Sequence, residues 1–421
     1  MTKNLCIAPG VTLRALQTDK FKTGCFSVNF LRAHSREDAP LDALLTSVLL
    51  RGTEKYLNMR HISMRLDELY GASFGTLVRR KGEVKLFGFY ADFIEDDFLP
   101  EGEHVFAGVV DLLRQILYHP YTENGCFCER FVENEKQNLI HEIEASLNDK
   151  RTYATGQMLR RMCEGEAYGV PRLGYAEDVA KITPEQLWAH YLRTLKSCRI
   201  EIFYAGRKSL EEAAAQFGKV FSSREEAEWE QAGTQVISEV EAVREYSESM
   251  DITQGKLVLG LRCGITADDP DYAALNLLNA VYGAGMTSKL FMNVREKLSL
   301  CYYASSTFDK YKGMMLISSG IAFENYEIAK NAILEELEAC RRGEISEQEL
   351  EAARVQVLSS LRAAMDAPAR LDDFYVGQAV LPSRDIPELM REIEALTVAD
   401  LSRAAQRIRL DTVYFLKGDE A

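Results

Sequence analysis

The stretch Asp42-Ala-Leu-Leu-Thr-Ser-Val-Leu-Leu-Arg-Gly-Thr53 decides how this chain is read. Leu41, Leu44, Leu45, Val48 and Leu49 recur at the spacing of one helical face. Pro40 suits the first turn of that helix, where a missing N–H costs nothing, and Arg51-Gly52-Thr53 ends it. Before it, Ser35 to Pro40 make a polar turn, and Gly24 to Leu31 alternate apolar and polar residues like a half-buried strand. Strand, polar turn and apolar helix therefore open the chain.

The same order begins again further on. Lys256 to Arg262 read as a strand, Ala267-Asp-Asp-Pro270 as a polar turn, and Tyr272 to Val281 as an apolar helix. Pro270 lines up with Pro40, and Ala273 with Ala43, at one common offset. Later, Leu396-Thr-Val-Ala-Asp-Leu401 echoes Ile182-Thr-Pro-Glu-Gln-Leu187, and the closing strand Thr412 to Leu416 echoes Ile200 to Tyr204. Two halves with one order of elements are the mark of an internal duplication. Strands separated by long helices within each half imply an α/β or α+β sandwich.

Between these landmarks the spacing predicts a helix from Met59 to Tyr70 stopped by Gly71, then strands Phe74 to Val78 and Val84 to Tyr90. Helices follow at 103–117, 123–147 and 152–163, and Thr183-Pro-Glu-Gln186 has the form of a capping box opening another. The Glu-rich passage Ser222 to Ser249 has little apolar periodicity and reads as a linker. The expected division is a first domain at 1–222, a linker at 223–250 and a second domain at 251–421.

With 421 residues, 47% of them hydrophobic, the chain has material for two or three buried cores. A net charge of −14 argues against nucleic acid as a partner, which needs a basic face. No stretch approaches the length of an apolar membrane span, and the start MTKNLCIAPGV has no apolar leader region, so no membrane association and a cytoplasmic location are expected. The nine cysteines are scattered without a zinc-knuckle spacing and read as free thiols.

Five stretches, in order, resemble the M16 metallopeptidases, the family of insulinase and mitochondrial processing peptidase. They are the Gly52-Thr53 helix end, Leu66-Asp-Glu-Leu-Tyr-Gly-Ala72, the helix of Glu135 and Glu142, Gly283-Ala-Gly-Met-Thr-Ser-Lys-Leu-Phe291, and Arg295-Glu-Lys-Leu-Ser-Leu-Cys-Tyr302. The resemblance implies an α+β fold of two homologous α/β sandwich domains of the mitochondrial processing peptidase type, duplicated in one chain. Leu69-Tyr-Gly-Ala72 and Asn148-Asp-Lys150 look like the zinc-motif-lacking member of a bacterial pair, a subgroup associated with the 5-aminopentanol modification of elongation factor P.

Active members carry H-x-x-E-H on the opening helix. Two histidines one turn apart reach one zinc ion, and the glutamate acts as general base on its water. On that frame the five positions here are Ala43, Leu44, Leu45, Thr46 and Ser47. Ala43 has no lone pair, Ser47 only a neutral hydroxyl, and Thr46 cannot serve as base. Glu142 falls on the family's third ligand position and Glu135 on a second acidic position of the same helix; the alternative is a solvated Glu-rich face. The expectation is no zinc and no other cofactor.

The resemblance further implies that Arg295 and Tyr302 fall on the pair with which the second half of active enzymes binds the peptide backbone and the oxyanion. Without that frame, Arg295 is a helix C-terminal charge and Tyr302 a strand aromatic. Lost ligands beside a kept Arg/Tyr pair imply a non-catalytic subunit. Its partner would be a catalytic M16 paralogue, in a heterodimer that closes a chamber around a peptide or unfolded polypeptide substrate. The alternative is a purely structural scaffold, as the core subunits of the respiratory bc1 complex are.

Overall fold

The computed structural model describes residues 2–419 and folds them into two units, each around its own mixed sheet. The first sheet has six strands in the order Lys3–Ala8, Val11–Gln17, Arg199–Gly206, Thr23–Ala33, Val84–Ile94, Ser73–Lys81. The second has five, in the order Cys301–Asp309, Met314–Ile321, Gly255–Arg262, Arg409–Lys417, Arg244–Ser249. Taken from opposite ends, the two orders match over five strands, and Lys3–Ala8 has no counterpart in the second sheet. Each contains a single parallel pairing, Val11–Gln17 with Arg199–Gly206 in one and Arg244–Ser249 with Arg409–Lys417 in the other. The duplication read from Pro40 and Pro270 is thus a duplication of topology.

Within each unit one sheet face packs on the unit's own helices. Leu44, Leu45, Val48 and Leu49 of helix Asp38–Leu49 join Phe26, Val28, Phe30, Ile200 and Ile202 in the first core. Leu275, Leu277 and Leu278 of helix Tyr272–Asn279 join Leu257, Leu259 and Leu261 in the second. Local chemistry acts as read. Thr183 and Gln186 close a reciprocal capping box at 3.1 and 3.2 Å, and Gly71 takes φ +72° at the helix stop.

The opposite sheet faces are covered by an exchange of helices. Unit 1 comprises the chain up to Ala145, Val170–Gly233 and, from far downstream, Ala367–Val380. Unit 2 comprises Ser146–Gly169, Thr234–Asp366 and the chain from Leu381 on. Helix Lys150–Met162 therefore lies on strands Gly255–Arg262 and Arg409–Lys417, and helix Pro368–Val380 on the equivalent strands Thr23–Ala33 and Arg199–Gly206. The expected contiguous boundaries at 222 and 250 give way to this discontinuous division, and the last residues of the expected linker form strand Arg244–Ser249.

The exchange explains a second departure from expectation. Strand Thr23–Ala33 is buried on both faces rather than one. Its polar alternates Ser27 and Asn29 lie beneath helix Pro368–Val380, where Ser27 donates to the buried Asp372 and Asn29 donates to Ser27 at 2.8 Å. Tyr375 of the same helix stacks on Phe203 at 5.8 Å. In unit 2 the arriving helix packs its methionines so closely that a Cβ on Gly260 would stand 2.4 Å from the Met162 sulfur, and a larger residue there would have to displace the Met158 and Met162 side chains. Met158, Met162, Val258, Met314 and Tyr414 make the apolar layer between them.

A buried ionic group closes that layer. Arg262 donates to Glu166 at 2.6 Å and to Asp411 at 2.9 Å, and Lys312 lies 2.6 Å from Glu166. Removing one partner strands the other charges out of water. Glu166→Ala is expected to lower the unfolding free energy by about 3–5 kcal/mol, read by urea denaturation.

A titratable test sits in unit 1, where buried His34 donates to the Val170 carbonyl at 3.1 Å. Burial, then the nearby Lys85 ammonium, push its pKa from 6.5 down to about 4. The unfolded chain takes up this proton below pH 6.5 and the folded protein refuses it until about pH 4. The contribution to stability is full above pH 6.5 and is lost as the pH falls through that window. Parallel urea titrations near neutrality and near the lower end of the window should show His34→Gln losing less stability on acidification than the unaltered protein.

Candidate functional site

Unit 1 contains the helix that the family frame makes the metal helix. Its apolar face is committed to the core, and its N-terminal half is pinned by a buried polar group. Asp42 accepts from His190 Nε2 at 2.8 Å and from Arg32 at 3.2 Å. Arg32 in turn donates to Thr194 at 3.2 Å and to Cys198 at 3.0 Å. At the far end Gly52 is required by close approach, since a Cβ there would meet the Leu57 carbonyl oxygen at 2.8 Å. The helix is thus held at both ends by groups that have no part in metal chemistry.

Its would-be catalytic positions are inert. Ala43 is 3% exposed, and Thr46 is buried with its hydroxyl donating to the Ala43 carbonyl at 3.0 Å. Ser47 is half-buried. Glu135, on helix Glu129–Asn148, faces the end of this helix but is ion-paired to Arg51 at 3.1 Å and accepts from Asn138 at 3.2 Å. Glu142 stands exposed, 3.8 Å from Arg172. Among the described residues no three His, Cys, Asp or Glu side chains converge as a metal-holding group. One methyl, two neutral hydroxyls and two arginine-paired carboxylates do not fit a zinc ion, which needs imidazole, thiolate or carboxylate donors. Arg51 lies just past the end of this helix, and its pairing with Glu135 depends on how two helices pack, which residue spacing does not show.

Unit 2 holds Arg295 and Tyr302, and both stand at irregular backbone. Residues Leu290–Lys297 form a wide-wound π-helix, with the Leu298 N–H donating to the Asn293 carbonyl at 3.0 Å. Such turns concentrate at functional sites. Arg295 lies on its last turn, partly exposed, with its guanidinium 4.6 Å from the Phe291 ring centre. Ser299 then takes φ +53° to reverse the chain into strand Cys301–Asp309.

In that strand Cys301 pairs with Ile321 and Tyr303 with Gly320, so Tyr302 is the extra residue of a β-bulge. Its side chain is 67% exposed. The equivalent strand of unit 1, Ser73–Lys81, pairs through without a break. The Arg295 charge reaches the Cys301 thiol beside Tyr302, partly offsetting the rise in pKa that burial imposes there. Arg151, on the exchanged helix, stiffens the same strand, with its guanidinium 4.4 Å from the Tyr303 ring centre and a 2.9 Å hydrogen bond to Ser305. Neither the bulge, the wide turn nor Arg151 has a signature in residue spacing. No described helix is long and apolar enough to cross a membrane.

The family description "Peptidase M16 inactive domain" matches residues 181–357. A Bacillus subtilis (strain 168) protein described as a probable inactive metalloprotease, YmfF, is 31% identical over 98% of this chain and 96% of its own length. The crystal structure of a conserved protein from Enterococcus faecalis V583 superposes with TM-score 0.92 and 31% identity, covering 100% of this chain and 99% of that one. A peptidase M16 inactive domain from Pseudomonas fluorescens superposes with TM-score 0.81 over 99% of this chain and 98% of its own, at 18% identity, a likeness of fold alone.

The donor set of unit 1 leads to a direct expectation. Protein equilibrated with excess zinc and then desalted should carry substoichiometric metal by elemental analysis, with an unfolding midpoint unchanged by zinc. Stoichiometric zinc that survives desalting would contradict it.

Proposed function

The chain belongs to the M16 peptidase family, as an inactive metalloprotease-like member, and we propose that it acts as the non-catalytic subunit of a heterodimer. Its partner is an M16 paralogue that carries an intact H-x-x-E-H helix, and this chain supplies peptide-binding groups to the shared site. The observation that carries the reading is an asymmetry between twins. The metal face of unit 1 is emptied, with Glu135 tied to Arg51, while unit 2 keeps Arg295 partly exposed and holds Tyr302 outward on a bulge that its twin strand lacks.

The chemistry suits that division of labour. A guanidinium offers a rigid fork of N–H donors, and a phenol a single O–H donor on a stiff ring. Both can hold a peptide carbonyl and the oxyanion that develops from it, provided another chain delivers the attacking water. A polypeptide in extended form is the substrate class such donors recognise.

The test mixes this protein with the zinc-bearing paralogue and follows cleavage of a quenched-fluorescent peptide. Addition of the unaltered chain should raise kcat/KM. Arg295→Ala and Tyr302→Phe should each remove about 10²–10³-fold of that gain without weakening association, as loss of one oxyanion donor does. Association with no effect of either substitution on rate would instead mark the chain as a structural scaffold.

A further inference from the structure

The two sheets differ at one edge. In unit 1, strand Val11–Gln17 carries Lys3–Ala8 on its outer side, antiparallel. Helix Leu210–Phe221 lies over both and seats Phe217 against Phe26 and Phe106 at 5.2 and 5.8 Å. In unit 2 the equivalent strand, Arg244–Ser249, is the outermost, and among the described residues no strand pairs with its free side. A free edge presents a row of N–H and C=O groups for another strand to pair with. Beside it lies a groove of about 730 Å³, lined in part by Glu245, Ser247, Phe323, Glu324, Tyr326 and Phe415.

The chemistry of the groove differs from that of its twin, and the difference selects the occupant. The residues of unit 1 that face the covering helix, Val11, Leu13 and Ala15, are apolar and buried. Their counterparts Glu245, Ser247 and Ser249 are polar and exposed, which disfavours an apolar helix and leaves pairing through the backbone. The floor is aromatic, with Tyr326 stacked on Phe415 at 4.6 Å. It already takes a cation, since the Lys330 ammonium lies 4.9 Å from the Tyr326 ring centre. Lys330 is committed to Glu245 at 3.1 Å and Glu327 at 3.0 Å. Glu324, in contrast, has no ion-pair partner among the described residues. Carboxylates over aromatic faces suit lysine or arginine side chains.

We propose that the outer edge of Arg244–Ser249 is a strand-addition site. It takes an extended, basic segment of a partner protein, antiparallel to the edge, with alternate cationic side chains over Glu324 and the Tyr326–Phe415 floor. Main-chain hydrogen bonds supply the affinity and the groove supplies the side-chain preference. The site is separate in sequence and in element from Arg295 and Tyr302, so it stands or falls independently of their role.

The probe is a fluorescein-labelled hexapeptide of alternating lysine and valine, titrated by anisotropy onto the full chain, with hydrogen exchange read over residues 244–249. The expected result is saturable binding with slowed exchange in those residues. Glu324→Lys, an exposed position, should weaken it about tenfold, and N-methylation of alternate peptide nitrogens should abolish it while leaving the charge. A glutamate–valine peptide should not bind. Absence of binding, equal binding of the N-methylated or acidic peptide, unchanged affinity in Glu324→Lys, or protection confined to other strands would each overturn the proposal.

Discussion

A β-sheet has two faces, and a strand whose second face must also be dry needs a cover that its own neighbourhood in sequence does not supply. That requirement organises this molecule. Each sheet buries one face under helices that follow its strands in the chain. The other face is buried by a single helix drawn from the opposite half of the sequence, Pro368–Val380 for one sheet and Lys150–Met162 for the other. Ser27, Asn29 and Asp372 on one side, and Arg262, Glu166 and Asp411 on the other, are the polar groups this arrangement encloses and pairs. Because buried charges are tolerated only when paired, these contacts fix which helix fits which sheet.

The chemistry of the site follows a different economy. On the helix Asp38–Leu49 two of the would-be metal positions are themselves part of the packing, since Ala43 lies in the core with Leu44, Leu45 and Val48 and Thr46 is buried. Leu44, Leu45 and Val48 still fill the core, and Asp42 is still gripped by His190 and Arg32. Ala43 and Thr46 add nothing that a metal could use. In unit 2, Arg295 and Tyr302 stand at departures from regularity, a wide helical turn and a bulge, where the local pairing is interrupted.

Much of this was legible in the residues, and the rest was hidden for definite reasons. The twin units could be read from Pro40 and Pro270, and the capping box from Thr183 and Gln186. Periodicity reports which face of a helix is apolar but not which sheet receives it, so the exchange of helices and the discontinuous units could not be read. Ser27 and Asn29 looked solvent-facing because polar alternation in a strand has the same pattern whether water or a paired carboxylate lies above it. Tyr302 stood at the right distance from Arg295, yet an extra residue in one strand is visible only in the register of its partner. Arg51 was quoted as a helix end, and its tie to Glu135 needed the packing of two helices.

The traded helices also bear on how the protein comes apart. A half of the sequence that lends one helix and borrows another has no complete core of its own, so each unit is finished only when residues from both halves are in place. Cut at the linker, the chain would leave each sheet with one bare face, so the duplicated sequence does not divide into two pieces that fold alone.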